Sequence, residues 1–301
     1  MPRRVTAVLL AAVLAGSALA SCTKPKDNAG TGSGLTLDGG TTTTGGKGTG
    51  TTAAAGTPST AGRKPTSTTA GSKTPTTDGG GTRPVDSGAK GGAGAYARTV
   101  LRPKPAAKVT LDILQQSGAE PLAHTTDHAV QVLSQNSGKA VSLGGPVGVP
   151  GGAEAYTAAD IRELSDRYGR TAQTEGQAVI RLLFLHGTFD GDRSVLGISV
   201  RGDTAAVFVD QVQSASTPIA RRNVIEDAVT EHELGHLLGL VDLVLHTGRG
   251  DPDHPGHSTN RASVMYWAVE SDLVSQALGG PPPVDFDAAD RADLAAIRNG
   301  A

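Results

Sequence analysis

The 301-residue sequence has a single cysteine, Cys22, and one long stretch almost without large aliphatic residues. Residues 31–95 consist mainly of Gly, Thr, Ser, Ala, Pro and Lys, a composition that cannot bury enough apolar surface to fold. From Tyr96 onward aliphatic residues return at regular spacing over roughly 200 residues, the size of one domain. The sequence therefore predicts a disordered Gly/Thr/Ser-rich linker over residues 22–95 and one folded domain over residues 96–301.

The predicted domain also lacks an excess of positive charge. Residues 96–301 carry 17 Lys and Arg against 25 Asp and Glu, whereas residues 1–95 carry 10 against 4. An acidic domain repels phosphate backbones and lacks the basic surface that nucleic-acid binding requires. We therefore expect no nucleic-acid partner.

The N-terminus has the pattern of an export signal. Two arginines precede an apolar run over residues 5–14, and small residues follow it. The run is too short to span a membrane as a helix. The sequence Leu-Ala-Ser-Cys at residues 19–22 resembles the bacterial lipobox, in which the cysteine becomes the first mature residue and carries a lipid. Because Cys22 has no cysteine partner in this chain, a structural disulfide within the chain is excluded, which favours its modification. We expect a signal peptide over residues 1–21 and a domain anchored by lipid to the outer face of a bacterial membrane.

Predicted strands and helices alternate along the domain. Runs rich in branched residues predict strands over residues 109–114, 178–185, 195–200 and 205–209. Helical spacing predicts helices over residues 124–133, 157–168 and 287–298, and a further helix that opens at Thr217-Pro218 and ends before Gly239. This interleaving indicates an α/β or α+β fold with a mixed sheet.

Two histidines near the end of the helix that opens at Thr217 could bind one metal ion. His232 and His236 are four residues apart, and on a helix this spacing places both rings on one face. Glu233 then lies beside the metal without coordinating it, where it could act as a general base. Gly239 permits a left-handed turn that ends the helix and returns the chain toward the metal.

Residues 232–242 read HELGHLLGLVD, which resembles the elongated motif HExxHxxGxxH of the metzincin zinc peptidases with Asp as the last residue. Ser-Val-Met-Tyr at residues 263–266 resembles the Met-turn of the same family. The resemblance implies a twisted sheet over an active-site helix, with a small C-terminal subdomain. It also implies zinc as cofactor, His232, His236 and Asp242 as ligands, Glu233 as the base, and Met265 in a loop beneath the metal.

The third ligand has several candidates. Asp242 follows the helix so closely that the returning chain would bring it to the metal without folding of the long loop that comes next. His246, His254 and His257 lie in that loop, and imidazole is the more common zinc ligand. A gluzincin peptidase would instead use a downstream glutamate such as Glu270. We expect Asp242 and keep the others as alternatives.

Together these features predict a zinc endopeptidase. Three protein ligands leave one zinc position for water, from which Glu233 would take a proton. An extended peptide would pair with an edge strand, for which residues 205–209 are the candidate. We expect a peptide or protein substrate and a monomeric domain. The alternative is a tethered extracellular binding or adhesion module that keeps the fold without turnover.

Overall fold

The computed structural model describes residues 88–301. The predicted signal peptide, the lipobox with Cys22 and residues 22–87 of the predicted linker lie outside the described residues. Residues 88–95, which the sequence assigns to the linker, form turns in which Ala89 is buried. The carbonyl oxygen of Ala89 accepts a hydrogen bond from the N–H of Asp203, 3.1 Å away. The packed part of the chain therefore begins before Tyr96.

The domain is built on a five-stranded sheet with the order β2-β1-β4-β7-β6. All neighbouring strands are parallel except β6, which runs antiparallel to β7. The strands β3 and β5 form a separate parallel pair. In chain order the strands are β1 (Lys108–Gln115), β2 (Ala140–Gly148), β3 (Ala155–Tyr156), β4 (Gln177–Leu185), β5 (Thr188–Phe189), β6 (Gly197–Arg201) and β7 (Thr204–Phe208).

Helices cover both faces of this sheet, which explains why β4 is almost entirely buried. One hydrophobic core lies between the sheet and α3, and the larger one lies between the opposite face and the remaining long helices. Among residues 88–301, none of the helices has the length and apolar character that a membrane span requires. The helices are α1 (Ala97–Leu101), α2 (Ala123–Ser137), α3 (Ala158–Tyr168), α4 (Val209–Ala215), α5 (Arg222–Leu237), α6 (Val274–Leu278), α7 (Ala288–Asn299) and a 3-10 helix (Trp267–Glu270).

The predicted α/β class with a mixed sheet is confirmed, and the four predicted strands are β1, β4, β6 and β7. One expectation about them is wrong. Residues 205–209 do not form an edge strand, because β7 lies between β4 and β6. The antiparallel strand β6 is the edge on that side of the sheet. Strand β2, at the other edge, was not predicted, because its Gly- and Pro-containing sequence is largely exposed and lacks a regular apolar pattern.

The helix that carries the two histidines starts later than predicted. Thr217 does not cap it, because the Thr217 hydroxyl accepts the N–H of Ala220 at 2.9 Å and so closes a separate turn. Helix α5 then begins at Arg222. The predicted helices over residues 124–133, 157–168 and 287–298 correspond to α2, α3 and α7.

The C-terminal helix α7, expected in a small C-terminal subdomain, packs onto the first helices of the domain. The side chain of Arg102, just after α1, donates to the carbonyl of Ile297 at 3.2 Å. Arg298 of α7 donates in turn to the carbonyl of Asn136 in α2 at 3.2 Å. The C-terminal helix therefore closes against the same core that supports α5.

Candidate metal centre

Four side chains converge at the end of α5. His232, His236, His257 and Glu270 each offer a ligand atom, and these atoms all lie within 4.8 Å of one another. The Nε2 atoms of His232 and His236, one helical turn apart, are 3.0 Å from each other. The ring of His257 stacks on that of His232 with centroids 5.1 Å apart. We call these four residues the metal cluster.

The loop before Met265 fixes the orientation of the first histidine. His232 Nδ1 lies 2.7 Å from the carbonyl oxygen of Val264. Because a carbonyl can only accept, Nδ1 carries the proton and Nε2 keeps its lone pair directed into the cluster. A backbone carbonyl in this position is a common way to fix the tautomer of a metal-binding histidine.

Burial keeps the cluster ready to bind a cation. It lowers the pKa of His236 well below the ordinary value, and the nearby rings of His232 and His257 lower it further. His236 is therefore neutral at pH 7, the form that coordinates metal. The Nδ1 atom of His257 is buried without a hydrogen-bond partner, and its Nε2 lies 3.0 Å from a carboxylate oxygen of Glu270. Buried polar atoms of this kind are costly, and three imidazole nitrogens with one carboxylate suit zinc, so the residues fit that metal.

Glu233 lies beside the cluster in a small buried space. Its Oε2 accepts a hydrogen bond of 2.8 Å from the hydroxyl of Ser199 on β6, whereas Oε1 is buried without a partner. Burial raises the pKa of Glu233 well above its usual range and the charge of Glu270 adds to this, although the Ser199 hydrogen bond opposes it. A Cβ at Gly197 would lie 2.8 Å from Oε1, so glycine at this position leaves room for the carboxylate.

The segment that resembles a Met-turn lies against α5. Met265 is fully buried, and a Cβ at Gly235 would collide with its sulfur, so α5 and the methionine side chain are in contact at a glycine. The Ser263 hydroxyl accepts the N–H of Met265 at 2.9 Å and donates to Asp290 at 2.7 Å. Because Asp290 belongs to the first turn of α7, the C-terminal helix supports the segment that orients His232.

The structure does not bring Asp242 to the two histidines, which corrects the expectation from the sequence. Its Oδ1 accepts the N–H groups of Thr247 and Gly248, and its Oδ2 accepts that of Gly250. The reason is local backbone geometry, because Val241 and Asp242 both adopt positive φ angles after Gly239. This turn directs the carboxylate into the loop that it caps.

Among the loop histidines, only His257 reaches the metal cluster. His246 is exposed. His254 stacks on Trp267 with ring centroids 4.5 Å apart, and its Nδ1 lies 3.1 Å from a carboxylate oxygen of Asp251. The residues that the sequence did not single out for the site are Ser199 and Gly197 on β6. A serine and a glycine in a half-buried strand carry no signal of this role before the strand is placed beside α5.

A cavity of about 430 Å³ opens next to the metal cluster. Its walls include the cluster residues His257 and Glu270. The ring of Trp267 and the side chains of Val195 and Leu273 make much of the remaining wall apolar. The cavity is large enough to receive a substrate side chain beside the cluster.

No protein-family model matches the sequence, and no curated protein matches it. Several solved structures are similar to the chain, among them the following three. Archaemetzincin from Methanopyrus kandleri is 20% identical, with 64% of this chain and 96% of that chain covered and a TM-score of 0.42. Archaemetzincin from Archaeoglobus fulgidus, complexed with malonate, is 17% identical, with 62% and 99% covered and a TM-score of 0.37. A zinc-dependent peptidase from Methanocorpusculum labreanum is 15% identical, with 61% and 99% covered and a TM-score of 0.36. All three TM-scores are below 0.5.

Proposed function

We propose that the chain is a zinc-dependent endopeptidase in which His232, His236 and His257 hold the metal and Glu233 is the general base. The observation that carries this proposal is the convergence of three imidazoles beside a buried carboxylate with one unpartnered oxygen. Such a group costs stability where it is only structural, and its placement is useful if it exchanges protons with a substrate.

Each part of the site would have its own role in peptide hydrolysis. A zinc ion held there would supply a Lewis acid that polarises a peptide carbonyl and acidifies water. Glu233, with its raised pKa, takes up a proton and returns it to the departing amine. Ser199 holds one oxygen of Glu233 and leaves the other without a hydrogen-bond partner. An extended peptide would pair with the edge strand β6, which carries Ser199.

The variant Glu233→Ala tests the role of this residue. We expect it to bind zinc with the same stoichiometry as the wild type but to lose peptide hydrolysis by 10²-fold to 10⁴-fold, the usual contribution of a general base. Zinc content and cleavage of a peptide library would be measured on both proteins. Glu163→Ala, on the exposed face of α3, is the matched control and should keep full activity.

Near wild-type hydrolysis by Glu233→Ala would exclude Glu233 as the base. A wild-type protein that binds zinc but cleaves no peptide would instead favour a tethered binding or adhesion module without turnover. The unpartnered oxygen of Glu233 favours the enzyme, because a binding module has no use for it.

We further propose that the chain is exported and anchored by a lipid on Cys22 to the outer face of a bacterial membrane. The support is the signal-like N-terminus and the lipobox resemblance, both outside the described residues. Labelled palmitate should enter the wild-type protein in a bacterial host and be absent from Cys22→Ser. Wild-type protein that is wholly soluble and unlabelled would contradict the anchor. We propose a monomer that acts on peptides or proteins and binds no nucleic acid.

A further inference from the structure

Glu270 brings a fourth donor to the metal cluster. One carboxylate oxygen lies 3.0 Å from His257 Nε2 and the other lies 3.6 Å from His232 Nε2. The side chain is 23% exposed, so it reaches the cluster from the solvent side. Three histidines and one carboxylate make four protein donors for a single ion.

The segment that carries Glu270 is held in place by its own backbone. The carbonyl of Glu270 accepts the N–H of Leu196 at 2.7 Å, and the N–H of Asp272 donates to the carbonyl of Ser194 at 2.9 Å. Between these bonds, Ser271 and Val195 form an antiparallel bridge. Residues 194–196 lead directly into the edge strand β6, so the chain itself makes the main-chain pairing that an extended peptide would make there.

We propose that Glu270 is a fourth metal ligand and that residues 270–272, which we name the latch, close the site until a peptide displaces them. This inference rests on the proposed function, because it assumes that the cluster binds zinc. Zinc sites with four protein ligands are closed, whereas catalytic sites keep three and leave one position open. With Glu270 bound, the site has four protein ligands and is closed.

Part of the latch lines the cavity beside the metal cluster. Its wall includes Glu270, Ser271 and Leu273, so a peptide side chain that enters it contacts the latch directly. A peptide that pairs with residues 194–196 must also replace both latch hydrogen bonds. Opening of the site is therefore coupled to occupation of the cavity and of the edge.

The test compares full-length wild type with Glu270→Gln, which removes the charged donor. Zinc affinity would be measured by competition with a chelator, and azide affinity by spectral titration of the cobalt-substituted proteins. We expect at least tenfold weaker zinc binding and at least tenfold tighter azide binding in the variant, because azide no longer competes with Glu270. Peptide hydrolysis should rise in the same variant. Glu163→Gln, the same change on the exposed face of α3, is the matched control and should change none of these values.

Glu270→Asp provides a second variant if the glutamine disturbs folding. Its shorter carboxylate keeps the charge but cannot reach as far, so azide binding should again be tighter than in the wild type. Unchanged zinc and azide affinities in Glu270→Gln and Glu270→Asp would overturn the latch, even if the wild type cleaves peptides. The expected affinity changes without hydrolysis by any variant would support the fourth ligand and refute the peptidase.

Discussion

Two buried carboxylates of this domain differ in how completely their oxygens are hydrogen-bonded. At the β6–β7 turn, Asp203 is 1% exposed and both its oxygens are paired. One oxygen accepts from Arg181 and Gln173 at 2.8 Å, and the other accepts from Arg201 at 2.5 Å and from Thr204 at 2.8 Å. We call Asp203 and its four partners the Asp203 centre. Its buried charges are paired with one another and stabilise the fold.

The metal cluster and the adjacent Glu233 show the opposite pattern. The Nδ1 atom of His257 and the Oε1 atom of the neighbouring Glu233 are both buried without a hydrogen-bond partner. An unpartnered buried polar atom costs about 1–3 kcal/mol, whereas a paired one is close to neutral or favourable. The comparison teaches that removal of a side chain from the Asp203 centre should destabilise the fold, while removal from the metal cluster should mainly affect metal binding.

The largest expected effect is on stability at the Asp203 centre. Asp203→Ala leaves Arg181 and Arg201 as buried cations without their shared carboxylate, which should lower the free energy of unfolding by about 3–5 kcal/mol. Chemical denaturation in EDTA would measure it. Asp190→Ala, in an exposed turn, is the control and should change stability by less than about 0.5 kcal/mol. A loss below about 1 kcal/mol for Asp203→Ala would contradict the comparison.

At the metal cluster the expected effect is on zinc affinity. His257→Ala should weaken zinc binding at least 100-fold, or about 2.7 kcal/mol, with little change in stability of the metal-free protein. Asp242→Ala and His254→Ala should keep the affinity, because neither side chain belongs to the cluster. Chelator competition measures all three. Stoichiometric zinc binding by His257→Ala together with loss of zinc in Asp242→Ala would restore Asp242 as the third ligand.

Metal removal should act on stability through the same cluster. Zinc at 100 times its dissociation constant should raise the free energy of unfolding of the wild type by about 2.7 kcal/mol relative to the protein in EDTA. The increase should vanish in His257→Ala and persist in Asp203→Ala. An equal increase in wild type and His257→Ala would show that zinc binds elsewhere.

The smallest expected effect is on stability at Lys139. This buried cation is hydrogen-bonded, unlike the unpartnered atoms at the metal cluster, but among residues 88–301 it has no carboxylate partner like that of the Asp203 centre. Its ammonium donates to the carbonyl of Thr99 at 3.0 Å, and burial lowers its pKa from 10.5 to about 8. Because the folded-state pKa lies below the unfolded value, charge on Lys139 costs stability below pH 8, and this cost disappears as the pH rises from about 8 to 10.5. Lys139→Met should therefore stabilise the protein by about 2 kcal/mol at pH 7 and by less at pH 10.

Denaturation at the two pH values checks this prediction. Lys108→Met, at the exposed start of β1, is the control for the change in hydrophobicity. A stabilisation by Lys139→Met that is the same at pH 7 and pH 10 would assign the gain to packing rather than to the buried charge.

Most of the sheet could be predicted because buried strands such as β4 consist mainly of branched and aliphatic residues. Strand β2 could not, since an exposed edge needs little apolar surface. In the site, the spacing of His232 and His236 is sufficient to place them on one face of a helix. Ser199 could not be predicted, because its hydrogen bond to Glu233 exists only after β6 packs beside α5.

The sequence by itself determined the pair of histidines, the adjacent glutamate and the glycine that ends their helix, because these depend on contacts within a few residues. Only the tertiary structure decided the remaining donors. His257 and Glu270 reach the cluster through a long loop and through backbone pairing with residues 194–196, and these contacts join parts of the chain far apart in sequence. Asp242, although closer in sequence, is turned away by two successive positive φ angles, so local backbone geometry outweighed proximity along the chain.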